Sequence, residues 1–209
     1  MNARDLLNDF LGRCPLIAII RGVTPDEAEE IGNAVYEAGI RIVEVPLNSP
    51  DPIKSIERLA NRFGNEMLVG GGTVFTPASV EDIRLAGGRI VVSPHSRPEV
   101  IRATVQAGMV SCPGYFTPTE AFSALDAGAT ALKLFPAEAA TPEVLKAQLA
   151  VIPKDVPMIV VGGVKPDNMM RWKAAGATGF GLGGGLYQAG QSAVDTLAKA
   201  RAYVAGLTA

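Results

Sequence analysis

"DAGATALKLFPAEAATPEV" (residues 126–144) holds one whole junction of a repeating unit: the end of a helix, a short strand and the start of the next helix. Ala127-Gly128 closes the helical segment, because glycine just past a helix end takes the left-handed conformation that stops it. "ALKLFP" (131–136) is too short for a helix and is bounded by glycine and proline, which favours a buried strand. Thr141 then supplies an N-cap oxygen, Pro142 the first helical position and Glu143 an acid in the first turn.

The same punctuation recurs along the chain. Ala38-Gly39, Ala86-Gly87, Ala107-Gly108 and Ala175-Gly176 each precede an apolar run, Gly64 fills the gap after Gly39, and only the stretch near Pro153 lacks the glycine. Thr24, Thr76 and Thr117 each stand before proline, as Thr141 does. The spacing, about 20 to 25 residues, is that of one βα unit. The other strand-like runs are "LIAIIR" (16–21), "RIVEVPLN" (41–48), "MLVGGGTV" (67–74), "RIVVSPH" (89–95), "MVSCPG" (109–114), "MIVVGGV" (158–164) and "GFGLGGG" (179–185), which makes eight in all. Eight βα units predict a single-domain (β/α)8 TIM barrel over residues 1–209, at the short end for that fold. "ARDLLNDFL" (3–11) is expected as an extra N-terminal helix covering the barrel bottom.

Composition narrows the function. The chain has 209 residues, 48% of them hydrophobic, and a formal net charge of −2, without the basic cluster that nucleic-acid binding needs. No apolar run approaches the roughly 18 residues of a membrane span, and the N-terminus carries charges where a signal peptide has its apolar stretch. These features predict a cytoplasmic protein, with Cys14 and Cys112 as free thiols. The single histidine, His95, reads as a turn residue in "SPHSRPE", and with no clustered acids a metal or other cofactor is not expected.

Active sites of such barrels lie at the C-terminal ends of the strands. Read in order, those ends carry Arg21, Glu44, Thr73, Pro94 with His95, Cys112, Lys133, Gly162-Gly163 and Gly183-Gly184. Side chains alternate along a strand. Lys133 therefore shares a face with Ala131 and Phe135, against Leu132 and Leu134 on the other, and Glu44 shares one with Ile42 and Pro46. If the leucines face the helices, both ionisable groups point into the barrel mouth. Burying two such ions is expensive, and apolar replacement is often neutral or better, so stability is a weak reason to keep them. A structural Glu–Lys pair or a lysine snorkelling to solvent is the plain alternative. The functional reading is a nucleophilic amine, its pKa lowered by desolvation and Arg21 and raised by Glu44. The glycine-rich ends of the seventh and eighth strands fit a phosphate held on backbone N–H groups and a short helix N-terminus.

With those positions in view, "LIAIIRG", "VEVPLNSP", "GGGTV", "CPG", "TEAFSALDAGATALKLFPAE", "VGGVKPDN" and "GLGGGLYQAG" together resemble the class I 2-keto-3-deoxy-6-phosphogluconate and 6-phosphogalactonate aldolases, over about residues 14 to 205. The chain is more similar to the galactonate branch, since "PLNSP" lacks the arginine of the gluconate branch and Val161 stands where that branch has threonine. The resemblance implies Lys133 as the Schiff-base lysine and Glu44 as the proton-shuttling carboxylate. It implies a substrate pocket of Arg21, Thr73, Pro94, Phe135, Val161, Gly162, Gly163, Gly183 and Gly184 for a small-molecule 2-keto-3-deoxy sugar acid phosphate. It also implies a metal-independent homotrimer. At Gly184 relatives often carry serine, so here the cradle has mainly backbone donors. The gluconate epimer, an unphosphorylated sugar acid, another phosphate-binding barrel lyase or epimerase, and a non-catalytic binding barrel stay open as alternatives.

Overall fold

The described chain, residues 2–208 of a computed structural model, runs α1 (Ala3–Arg13), β1 (Leu16–Ile19), α2 (Pro25–Glu37), β2 (Ile42–Pro46), α3 (Pro52–Phe63), β3 (Leu68–Gly72), α4 (Pro77–Leu85), β4 (Ile90–Val92) and α5 (Pro98–Gln106). It continues through β5 (Val110–Cys112), β6 (Gly114–Tyr115), α6 (Pro118–Asp126), β7 (Leu132–Leu134), a 3-10 turn (Ala137–Ala139), α7 (Pro142–Gln148), β8 (Met158–Val161), α8 (Met169–Ala174), β9 (Gly179–Leu182) and α9 (Ala193–Ala205).

The threonine–proline starts form the expected caps. Hydroxyls of Thr76, Thr117 and Thr141 accept the N–H of Ser79, Glu120 and Val144 at 3.2, 3.4 and 3.4 Å. Thr24 and Glu27 form a capping box, the Thr24 N–H donating to the Glu27 carboxylate at 3.1 Å. At the other end of the repeat, Gly39 and Gly128 take φ of +105° and +96°, a region that a side chain would strain.

All strands pair in parallel, in the order β5-β4-β3-β2-β1-β9-β8-β7-β6. The nine segments make an eight-stranded barrel, because β5 and β6 are two halves of one barrel strand. "MVSCPG" (109–114) was expected as a single strand; it divides at Pro113, which has no N–H to donate to a ladder. The first half pairs with β4 (Ile90 beside Val110) and the second with β7 (Gly114 beside Lys133), so the break lies where the barrel closes. Gly114 also packs so tightly there that an added Cβ would stand 2.6 Å from the Pro94 carbonyl carbon.

Side-chain alternation sorts the strands into two apolar layers. Leu132, Leu134, Val43 and Val45 pack outward with Ile31, Val35, Leu59 and other helix residues. Ile17, Ile42, Leu68, Ile90, Val110, Ala131 and Ile159 fill the interior, and Leu7, Phe10 and Leu11 of α1 complete that inner cluster from below. The extra N-terminal helix therefore plugs the barrel, which leaves the opposite, C-terminal end as its open mouth. Phe10 is 2% exposed. Phe10→Ala is expected to lower the unfolding free energy by about 3–5 kcal/mol in urea denaturation; a loss below about 1 kcal/mol would show that the plug adds little to the core.

Candidate active site

One cavity of about 920 Å³ opens at the C-terminal ends of the strands, large enough for a drug-sized or sugar-acid ligand. Arg21, Glu44, Thr73, Pro94, Lys133, Phe135, Val161, Gly162, Gly163, Gly183 and Gly184 all border it. Cys112 lies deeper in the inner apolar cluster, and burial raises its thiol to about 12, so it stays a neutral packing group. His95 sits in the following turn, its Nδ1 accepting the Arg97 N–H at 3.2 Å.

At the floor, Lys133 is 7% exposed and Glu44 2%. Among the described residues Lys133 makes no hydrogen bond or ion pair through its ammonium. Its Nζ stands 4.6 Å from the centre of the Phe135 ring, a cation–π contact. One carboxylate oxygen of Glu44, Oε2, is likewise buried without a partner. Burial pushes the Lys133 ammonium below the ordinary lysine range; Glu44 and Cys112 oppose that shift and Arg21 reinforces it. Burial also pushes Glu44 up to about 7, against the Lys133 and Arg21 charges. Burial thus moves both groups towards their uncharged forms, the lysine downwards and the glutamate up to about 7. Such a pair can attack a carbonyl and exchange protons.

Arg21 projects over the same mouth from the end of β1. Its guanidinium donates to Asn48 Oδ1 and, at 3.3 Å, to Thr73 Oγ1. Thr73 itself has φ of +58°, unusual for a β-branched residue, so the backbone at the end of β3 is held in a conformation that turns this hydroxyl towards Arg21. Behind the arginine, the Gly22 N–H donates to Ser49 Oγ at 2.9 Å and ties the β1 and β2 loops together.

On the far side lie the late glycines. No acceptor among the described residues takes the N–H groups of Gly162, Gly163, Gly183, Gly184 or Gly185. A short turn, not a helix, follows β9, with Leu186 and Tyr187 N–H both donating to the Gly183 carbonyl at 2.9 and 3.1 Å. The expected helix N-terminus is therefore replaced by a turn whose first amides are left without a protein acceptor, as anion-binding turns require.

The family model for KDPG and KHG aldolases matches residues 7–200. The chain belongs to the KDPG and KHG aldolase family. It is 48% identical to the 2-dehydro-3-deoxy-6-phosphogalactonate aldolase of Escherichia coli K12, over 92% of this chain and 94% of that one. A solved structure of native KDPGal is 47% identical and superposes with a TM-score of 0.92, covering 93% of this chain and 95% of that one. The KDPG aldolase of Legionella pneumophila, solved with pyruvate captured as a covalent carbinolamine intermediate, is 26% identical, with a TM-score of 0.82 and 97% of each chain covered.

Several residues of this aldolase's site were not singled out by sequence reasoning. Gly72 faces Glu44 across β2 and β3, and a Cβ there would collide with all three atoms of the Glu44 carboxyl group. The glycine is thus the space in which the carboxylate lies; "GGGTV" marked the run without revealing which glycine mattered. Tyr203 of α9 donates to the Val164 carbonyl at 3.0 Å and packs on Gly185, bracing both glycine loops at once. Asn48 holds Arg21, and Glu138 lies against Gly162 and Gly163.

Gly72→Ala is expected to displace the Glu44 carboxyl, lowering kcat at least about tenfold while overpacking costs about 1–3 kcal/mol of stability; kinetics within about twofold of wild type would remove Gly72 from the site's support. The pH dependence of stability has a definite sign. Native Glu44 keeps its proton up to about pH 7, whereas in the unfolded chain it ionises near about 4.3. Its contribution to stability is therefore whole below about pH 4 and is lost as pH rises through about 7. Glu44→Gln has no such titration, so its Tm relative to wild type should climb between about pH 4 and pH 8 in calorimetry, and a pH-independent difference would contradict the raised pKa.

Proposed function

We propose that the protein is a class I aldolase that reversibly cleaves 2-dehydro-3-deoxy-6-phosphogalactonate to pyruvate and D-glyceraldehyde 3-phosphate, with Lys133 as the imine-forming residue. The observation that carries this reading is the desolvated, unbonded Lys133 ammonium in the same dry floor as the partnerless Glu44 carboxylate oxygen. The carbinolamine captured in the Legionella pneumophila relative supports imine chemistry, and the activity named for the Escherichia coli relative supports the galactonate substrate.

In the proposed sequence the neutral Lys133 amine adds to the C2 ketone, and the carbinolamine loses water to a protonated imine. The C3–C4 bond then breaks, its electron pair moving into the imine to give an enamine, while Glu44, directly or through water, takes the C4 hydroxyl proton. Glyceraldehyde 3-phosphate leaves. The conjugate acid of Glu44 protonates C3, and water hydrolyses the resulting imine to pyruvate and free amine. Arg21, steered by Asn48 and Thr73, orients the substrate carboxylate by charge-assisted hydrogen bonds. The glycine amides of the β8 and β9 loops hold the far phosphate, which fixes the position of the scissile bond. Pro94, Phe135 and Val161 shape the space between, and the valine's lack of a hydroxyl supports the galactonate branch. On the family resemblance the same reading makes the enzyme a cytoplasmic homotrimer. No helix among the described residues is long and apolar enough to cross a membrane.

Borohydride added with pyruvate is expected to inactivate the enzyme and leave a reduced pyruvyl adduct on the peptide containing Lys133, read by mass spectrometry. No adduct, or one on another lysine, would overturn the assignment. Cleavage assays on the two C4 epimers should show the higher kcat/KM for the galactonate form, and the reverse order would move the enzyme to the gluconate branch.

A further inference from the structure

The phosphate end of the mouth has amides but no obvious counter-charge. Gly183, Gly184 and Gly185 carry no side-chain donor, and the neighbouring side chains that border the cavity, Tyr187 and Gln188, are neutral, so this wall offers hydrogen-bond donors without positive charge. A phosphate monoester carries nearly two negative charges at neutral pH. Moreover, the one carboxylate at this end, Glu138, lies over Gly162 and Gly163 and has the wrong sign for it. The other cations of the cavity are placed elsewhere, Arg21 with Asn48 and Thr73 and Lys133 on the floor beside Phe135.

Lys165 borders the cavity at this same end and makes no ion pair among the described residues. Its backbone is fixed with respect to the glycines. The Lys165 N–H donates to Asn168 Oδ1 at 2.9 Å, and the Asn168 side-chain amide donates in turn to the Gly163 carbonyl at 2.9 Å. Tyr203 holds Val164 between them. A long, flexible ammonium on a braced loop, next to unoccupied amide donors, is suited to meet a dianion as a point charge.

We propose that the Lys165 ammonium binds the substrate phosphate, adding a charged donor to the neutral glycine amides, and so sets the preference for phosphorylated over unphosphorylated 2-keto-3-deoxy sugar acids. The inference rests on the aldolase reading above and adds to it a residue that determines substrate class. The exposed position means that replacement leaves the fold intact.

The test compares wild type, Lys165→Met and Lys165→Arg on the phosphorylated substrate and on its unphosphorylated counterpart. Lys165→Met should raise KM for the phosphorylated acid about tenfold, with kcat and the unphosphorylated kcat/KM within about twofold of wild type. Lys165→Arg should restore most of the loss. The Ki of inorganic phosphate as a competitive inhibitor should rise with that KM, and added salt should weaken the wild type more than the methionine variant. Equal effects on the two substrates, or an unchanged KM and Ki, overturn the proposal. Failure of the wild type itself to cleave the phosphorylated acid marks failure of the aldolase reading, and the role of Lys165 falls with it.

Discussion

Desolvation of two opposite ionisable groups on one barrel floor is the constraint from which the rest of this structure follows. Lys133 and Glu44 come from β7 and β2, on opposite parts of the barrel, and both are buried. Neither would be chosen for stability, since each charge loses its hydration and an apolar pair would pack as well or better. In the proposed mechanism their value lies in the chemistry that burial favours, an uncharged amine for attack and an acid whose pKa is raised to about 7. The molecule is arranged to keep that floor dry. α1 seals the barrel from below, the inner cluster fills the strands beneath the pair, and both groups border the cavity at the mouth.

The two rims of the mouth then divide the work of recognition. Around β1 to β3, Arg21 is aimed by Asn48 and by a threonine in a strained backbone conformation, which suits a carboxylate held close to the reacting carbon. Around β8 and β9, loops of glycine expose amides, and Tyr203 and Asn168 stiffen them from behind. Rigid supports at both rims matter because a small displacement of either substrate end moves the scissile bond away from the amine and the acid.

Much of this was legible in the chain itself, for physical reasons that can be named. The threonine–proline and alanine–glycine pairs are local signals, and they located the βα units because capping and left-handed termination depend on a few neighbouring residues. Alternation along "ALKLFP" and "RIVEVPLN" put Lys133 and Glu44 on the inner face without any tertiary information. The break at Pro113 was missed because proline also ends strands, and only barrel closure distinguishes an interruption from an end. The contribution of Gly72 was hidden for a different reason. The side chain that lies over it, Glu44, belongs to the neighbouring strand, and no local pattern encodes such a contact. Asn48 and Tyr203 likewise act through partners brought together by the fold.

The most direct test is a titration of the Lys133 Nζ resonance in the free enzyme, followed by NMR in protein carrying labelled lysine. The Lys133 ammonium should lose its proton well below the ordinary lysine value of about 10.4, and Glu44→Gln should lower that pKa further, because the carboxylate raises it. A Lys133 titration at or above the ordinary value, unmoved by the Glu44 substitution, would show a solvated lysine that does not sense Glu44 and would contradict the account.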